Sequence, residues 1–149
     1  MNGTSARTAL ELAEAYLDRL QAKDRDGILA LLAEDFALEV PCNVSGTNDL
    51  SDSWYGLEAA AANFDATFRK IEILKYADLL FTPGPDDRIA FAEGRGVMTL
   101  ATGRPYRNIY IFRFDTEHGK IRRIREYCNP ITAALSMQVP LPQEAVDAA

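Results

Sequence analysis

Of 149 residues, only one is histidine (His118), two are cysteine (Cys42 and Cys128) and one is tryptophan (Trp54). A zinc site built from Cys and His needs about four ligands, so no such site is expected and no metal is assigned. The lone histidine sits in a Glu-His-Gly turn, which argues against a histidine-based catalytic triad. Two cysteines with no CxxC permit one disulfide by count alone. Without a secretory leader, the reduced thiols of a cytoplasmic protein are the expectation. Basic charge is also in deficit: 16 Lys and Arg against 22 Asp and Glu give a net charge of −6. That disfavours nucleic acid and anionic membrane surfaces as partners. No apolar run approaches the ~20 residues of a membrane span. What remains for chemistry is carboxylates, tyrosines, arginines and amides. Hydrophobic residues make up 48% and charged residues 26%, a globular composition of one-domain length.

Periodicity places the elements. Leu10, Ala13, Leu17 and Leu20 form one helical stripe over 9–20, with Thr4 or Ser5 available as a cap. Asp24 or Asp26 can cap a second helix carrying Ile28, Leu29, Leu31 and Leu32. Phe36, Leu38 and Val40 alternate as on a half-buried strand that Pro41 stops. Residues 42–55 are rich in Asn, Ser, Gly and Asp and read as a long, lid-like loop ending in Trp54 and Tyr55. A third helix spans 57–68. Four strand-like segments follow at 71–81, 88–101, 106–115 and 121–128, with turn signals between them and a bend or bulge expected at Gly94 and Gly96. A short helix at 131–137 precedes the Pro140/Pro142 tail. The outer segments, 1–7 and 138–149, read as peripheral tails of one domain.

This order predicts an α+β fold. A four-strand meander plus the early strand makes a curved antiparallel sheet, and three helices of the N-terminal half close it into a cone with an interior pocket. Strand alternation sets Ile124, Glu126 and Cys128 on one face and Arg123, Arg125 and Tyr127 on the other. If the first face is interior, Glu126 is a desolvated carboxyl with a raised pKa, suited to acid–base work. With the register reversed, it pairs with a surface arginine instead. Tyr16 borders the apolar stripe of the first helix, where its hydroxyl can polarise a carbonyl oxygen or face water. Asn108, Tyr110 and Phe112 share one strand face beside Glu126. Glu93 and Arg95 share a face with Phe91 and Val97, as a second polar site inside the cone or as an exposed pair outside it. Trp54 and Tyr55 either close over a planar ligand or anchor the third helix, and Cys128 reads as a small buried hydrophobe.

Several segments carry a family resemblance. Ala15-Tyr16-Leu17, Lys23-Asp24 and Ile28 to Phe36 resemble the opening of the nuclear-transport-factor-2-like superfamily, as do Arg113-Phe114-Asp115, Gly119-Lys120-Ile121 and Arg125 to Asn129 near the end. The likeness, over about residues 8 to 142, is to SnoaL-like and ketosteroid-isomerase-like enzymes. Glu93 to Gly96, Arg125-Glu126 and Asn129-Pro130 with Val139-Pro140 look closest to phenazine-biosynthesis A/B-type proteins. The resemblance implies that Tyr16 matches the first-helix tyrosine donating to the oxyanion in ketosteroid isomerases. Val40 stands where those enzymes carry their base aspartate, and Tyr110 replaces their second donor. Glu126 matches the last-strand carboxylate of the phenazine A/B-type proteins, near which epoxide hydrolases of the fold use an aspartate. Asn129 stands where many SnoaL-like sequences carry an aspartate. The superfamily hosts many activities and some non-enzymes.

The expectation is therefore an enzyme needing no cofactor. It acts on a small, apolar, cyclic, carbonyl-containing metabolite, with Glu126 and Tyr16 catalytic and an isomerisation, cyclisation or condensation as the reaction. A non-catalytic binding or interaction module of the same fold, and an epoxide hydrolase, are the alternatives. The resemblance also implies a homodimer through the outer sheet face, with Arg113, Arg125 or Tyr127 partly covered.

Overall fold

The computed structural model describes residues 5–143. Helix α1 (Ala9–Gln21) begins with a capping box: Thr8 accepts from the Glu11 backbone amide, and Glu11 accepts from that of Thr8. The cap is thus Thr8 rather than Ser5, and Thr4 lies outside the described residues. Helix α2 (Arg25–Leu29) is capped by Asp24, as the sequence allowed, but it is only one turn and a half. Leu31 and Leu32 do not extend it, because strand β1 (Leu32–Val40) starts there.

The loop after β1 is shorter than expected. Strand β2 (Asp52–Tyr55) returns antiparallel to β1, pairing Trp54 with Leu38. Helix α3 (Gly56–Lys70) follows directly, and its C-terminal end is held by Lys23, whose ammonium donates to the Phe68 and Ile71 carbonyls. The segment 71–81 divides into β3 (Ile71–Ile73) and the first part of β4 (Tyr76–Pro83). Strands β5 (Ile89–Leu100), β6 (Pro105–Glu117) and β7 (Lys120–Cys128) complete the meander, and α4 (Pro130–Ser136) closes the described chain. The β6–β7 turn carries positive φ at His118 and Gly119, the backbone that a two-residue hairpin demands.

The sheet runs β2-β1-β7-β6-β5-β3, with β4 also on β5. It is mixed rather than wholly antiparallel, because β1 runs parallel to β7. Helix α1 packs across β4, β5 and β6, and α3 packs on β1. The result is a curled sheet with helices on its concave side.

The inner face of β5 is unusually small. Ala90, Ala92, Gly94 and Gly96 point inward, opposite Phe114, Phe112, Tyr110 and Asn108 of β6. Each small residue leaves room for a large neighbour. A Cβ on Gly96 would lie 2.6 Å from the Tyr110 ring, and one on Gly94 would lie 2.8 Å from Leu79. The expected bend at these glycines is absent, since the β5–β6 register runs unbroken through both. The bulge lies in β4 instead, between Ala77 and Leu80, where Asp78 takes a positive φ of 55°. It shifts the phase of β4, so that Tyr76 is buried inside and Leu79 and Phe81 pack on the core beyond it.

Candidate functional site

Glu126 follows Ile124 by one period of β7, and Ile124 is fully buried in the core. That register turns Glu126 inward, opposite Phe112 of β6. Its carboxyl borders a cavity of about 80 Å³ under the helices. Helix α1 contributes Tyr16, β4 contributes Tyr76, β6 contributes Tyr110, and α3 contributes Asn63 and Thr67. Leu38, Phe64, Leu74 and Met98 supply apolar walls. Of the two readings of Glu126, the interior one is the one observed. No described residue forms a hydrogen bond or ion pair with the Glu126 carboxyl.

Burial alone sets the electrostatics of this carboxyl. Desolvation raises its pKa from 4.5 to about 7. The side chain is of intermediate exposure, and its oxygens are not among the fully enclosed unpartnered atoms, so the carboxyl opens onto the cavity it lines. The groups that feel its charge are Tyr16 from α1, Tyr76 from β4, Tyr106 and Tyr110 from β6, and Cys128 from its own strand. All are raised, first by burial. The tyrosines therefore stay protonated at neutral pH and act as donors.

Tyr16 occupies the inner face of α1, 3% exposed, with its ring edge against Phe114 at 5.6 Å. Phe112 and Asn108 lie on the same strand face as Tyr110, as the alternation required, but neither borders the cavity. Phe112 is core: it stacks on Tyr110 at 5.6 Å and meets the Tyr76 ring at 5.5 Å. Asn108 is buried in a polar network. Its amide donates to the Tyr106 hydroxyl at 2.9 Å and to the Asn129 carbonyl at 3.0 Å.

Five other expected ligand contacts fall outside the cavity. Trp54 packs on the core from β2, which fits the anchoring reading, whereas Tyr55 at the start of α3 is 61% exposed and makes no side-chain cap hydrogen bond. Glu93 and Arg95 are exposed on the outer sheet face, because the inner face of β5 belongs to its alanines and glycines. Arg95 pairs there with Asp78 of the bulge, not with Glu93. Cys128 packs at the core edge and its thiol is pushed up to about 12, first by burial. Both cysteines are free thiols. The loop between β1 and β2 borders the cavity nowhere; the Ser51 amide closes its base on the Val40 carbonyl at 2.8 Å. Asn129 caps α4, accepting from the Ile131 and Thr132 amides at 3.1 and 3.3 Å. An aspartate would serve that cap equally well.

Sequence reasoning missed Tyr76. It is 6% exposed and lines the cavity with Glu126 and Tyr16. Among the described residues, no group of three or more His, Cys, Asp or Glu could hold a metal ion, and no helix is long and apolar enough to cross a membrane.

This cavity, at the mouth of a curled sheet under α1 and α3, is set in a recognisable frame. A family model described as SnoaL-like domain matches residues 13–124. The chain belongs to the SnoaL-like family. None of the curated proteins matches it. Solved structures do. A protein named "putative isomerase" from Bacillus subtilis is 23% identical, with 90% of this chain and 96% of that one covered and a TM-score of 0.75. A phenazine biosynthesis-related protein from Pseudomonas aeruginosa is 17% identical, with 90% and 85% covered and a TM-score of 0.72. A protein named "putative polyketide cyclase" from Pseudomonas putida KT2440 is 27% identical, with 87% and 97% covered and a TM-score of 0.68. The first two likenesses show the fold alone.

Proposed function

We propose that this SnoaL-like chain is an acid–base enzyme needing no cofactor, acting on a small, apolar, cyclic, carbonyl-containing metabolite. Glu126 removes a proton from a carbon next to the carbonyl, and Tyr16 donates a hydrogen bond to the oxygen as negative charge grows on it. Returning the proton to another carbon gives isomerisation; trapping the enolate on a second carbonyl of the substrate gives cyclisation or condensation. The observation that carries this reading is an inward-facing, desolvated carboxyl in one cavity with a tyrosine hydroxyl, neither having a hydrogen-bond partner among the described residues. A pKa of about 7 balances proton affinity against the ionised fraction near neutral pH.

Deuterium exchange at the α-carbons of a panel of cyclic ketones, followed by NMR, tests it. The wild-type chain accelerates exchange for at least one member, and Glu126→Gln lowers that rate by about 10²–10⁴-fold. Equal rates in the two proteins would overturn the mechanism. Ligand binding unchanged by Glu126→Gln, with no exchange in either protein, would instead support a non-catalytic binding module.

The same reading includes a homodimer through the outer sheet face. Leu80, Ile109 and Ile111 are exposed there beside the half-buried Tyr127, around a groove of about 540 Å³. Asp78, Glu93 and Arg95 stand beside them, so the face offers both charge signs to a two-fold copy of itself.

A further inference from the structure

Three tyrosines reach the cavity, and their hydroxyls are not equivalent. The Tyr110 hydroxyl donates to Tyr106 Oη at 3.1 Å. Tyr106 Oη is held by a second donor, Asn108 Nδ2, at 2.9 Å. Asn108 is fixed in turn by Asn129, whose backbone amide donates to Asn108 Oδ1 at 3.0 Å. This chain of donors points the Tyr110 proton away from the cavity. Tyr16 and Tyr76 differ. Both are almost fully buried and line the cavity, and neither hydroxyl has a partner among the described residues. Neither hydroxyl oxygen is among the fully enclosed unpartnered atoms, so both open onto the cavity, where an entering oxygen can accept from them.

We infer that Tyr16 and Tyr76 together form the donor pair for a substrate oxygen, and that Tyr110 is withheld from it by Tyr106 and Asn108. The inference rests on the acid–base reading and deepens it. As Glu126 takes the proton from carbon, the C–H electron pair becomes the new C=C bond. The carbonyl π pair moves onto oxygen, where two O–H groups meet the negative charge. Two donors select a ligand whose oxygen becomes anionic over one whose oxygen stays neutral. Tyr76 is set inward by its pairing with Gly96 on the inner face of β5.

The test uses 4-nitrophenol, whose phenolate carries a stable oxyanion and absorbs visible light where the phenol does not. Binding is measured with the full chain carrying Glu126→Gln, so that no carboxylate repels the probe. In that background, adding Tyr76→Phe or adding Tyr16→Phe weakens phenolate binding by about tenfold or more, the worth of one hydrogen bond to a charged acceptor. Adding Tyr110→Phe costs less than about threefold, because its proton serves Tyr106. Phenylalanine keeps the ring contacts, and thermal melting verifies the fold of each variant. Phenolate binding unaffected by Tyr76→Phe, a larger loss from Tyr110→Phe, or no phenolate binding at all would overturn the inference. The assay involves no turnover, so its failure is distinct from that of the Glu126 mechanism, which the deuterium-exchange comparison decides.

Discussion

Replacing Glu126 by glutamine removes an ionisable group from a place where ionisation is costly. The native pKa of about 7 lies above the ordinary value of 4.5. Below pH 4.5 both folded and unfolded chains hold this proton, and burial carries no penalty. Between 4.5 and about 7 the unfolded chain releases the proton while the folded chain keeps it. Stability therefore falls as pH rises through that window and is level above it. The loss is at most about 3 kcal/mol, less where cavity water screens the charge. Glu126→Gln escapes it, so the variant gains in melting temperature relative to wild type from pH 4.5 to 7. A constant difference across that range would contradict the buried placement. Activity runs the other way: with Glu126 as base, kcat/KM rises with pH through about 7. Glu126 was legible in the sequence because Ile124 and Cys128 flank it at period two. Tyr16 was legible from the helical stripe beside it.

At the scale of elements, the inner face of β5 decides what the site can hold. Ala90, Ala92, Gly94 and Gly96 make room for the large residues of β6 and for Tyr76. A methyl group at Gly96 meets the Tyr110 ring, which is wedged between Tyr76 and Phe112. Gly96→Ala should cost about 1–3 kcal/mol, as overpacking does, and displace Tyr110. Gly94→Ala meets chiefly the tip of Leu79, at 2.8 Å, with the Ala77 carbonyl at an ordinary 3.4 Å, and should cost less. Thermal melting of the two variants checks the order; equal, negligible losses would refute the close approach. This same face explains why the sequence left Glu93 and Arg95 between two readings: small residues carry little hydrophobic signal, so the alternation of β5 could be assigned to either side, and the outer, exposed alternative is the one observed. Tyr76 was hidden for a different reason. The bulge at Asp78 breaks the period of β4, and a strand without one phase gives no face to its residues. The length of α2 was overestimated and the short β2 was missed, because local pattern resolves element boundaries poorly.

For the whole molecule, the chain order alone gave the α+β layout, since the switch from helical to two-residue period near residue 71 is plain. The parallel pairing of β1 with β7 was not readable, because strands far apart in sequence meet only after the sheet curls. The outer face of that sheet predicts assembly. Light scattering should give twice the 16.5 kDa chain mass, and Ile109→Glu, a charge on the exposed apolar face, should return the monomer. A wild-type monomer would contradict the dimer. On the inside, Glu126 is the one carboxyl among the described residues that lines the cavity, amid tyrosines and apolar side chains. The direct measurement is the NMR titration of the Glu126 side-chain carboxyl carbon in the wild-type protein. A midpoint of about 7 is the predicted result; a midpoint in the ordinary glutamate range, about 4.3, would contradict the account.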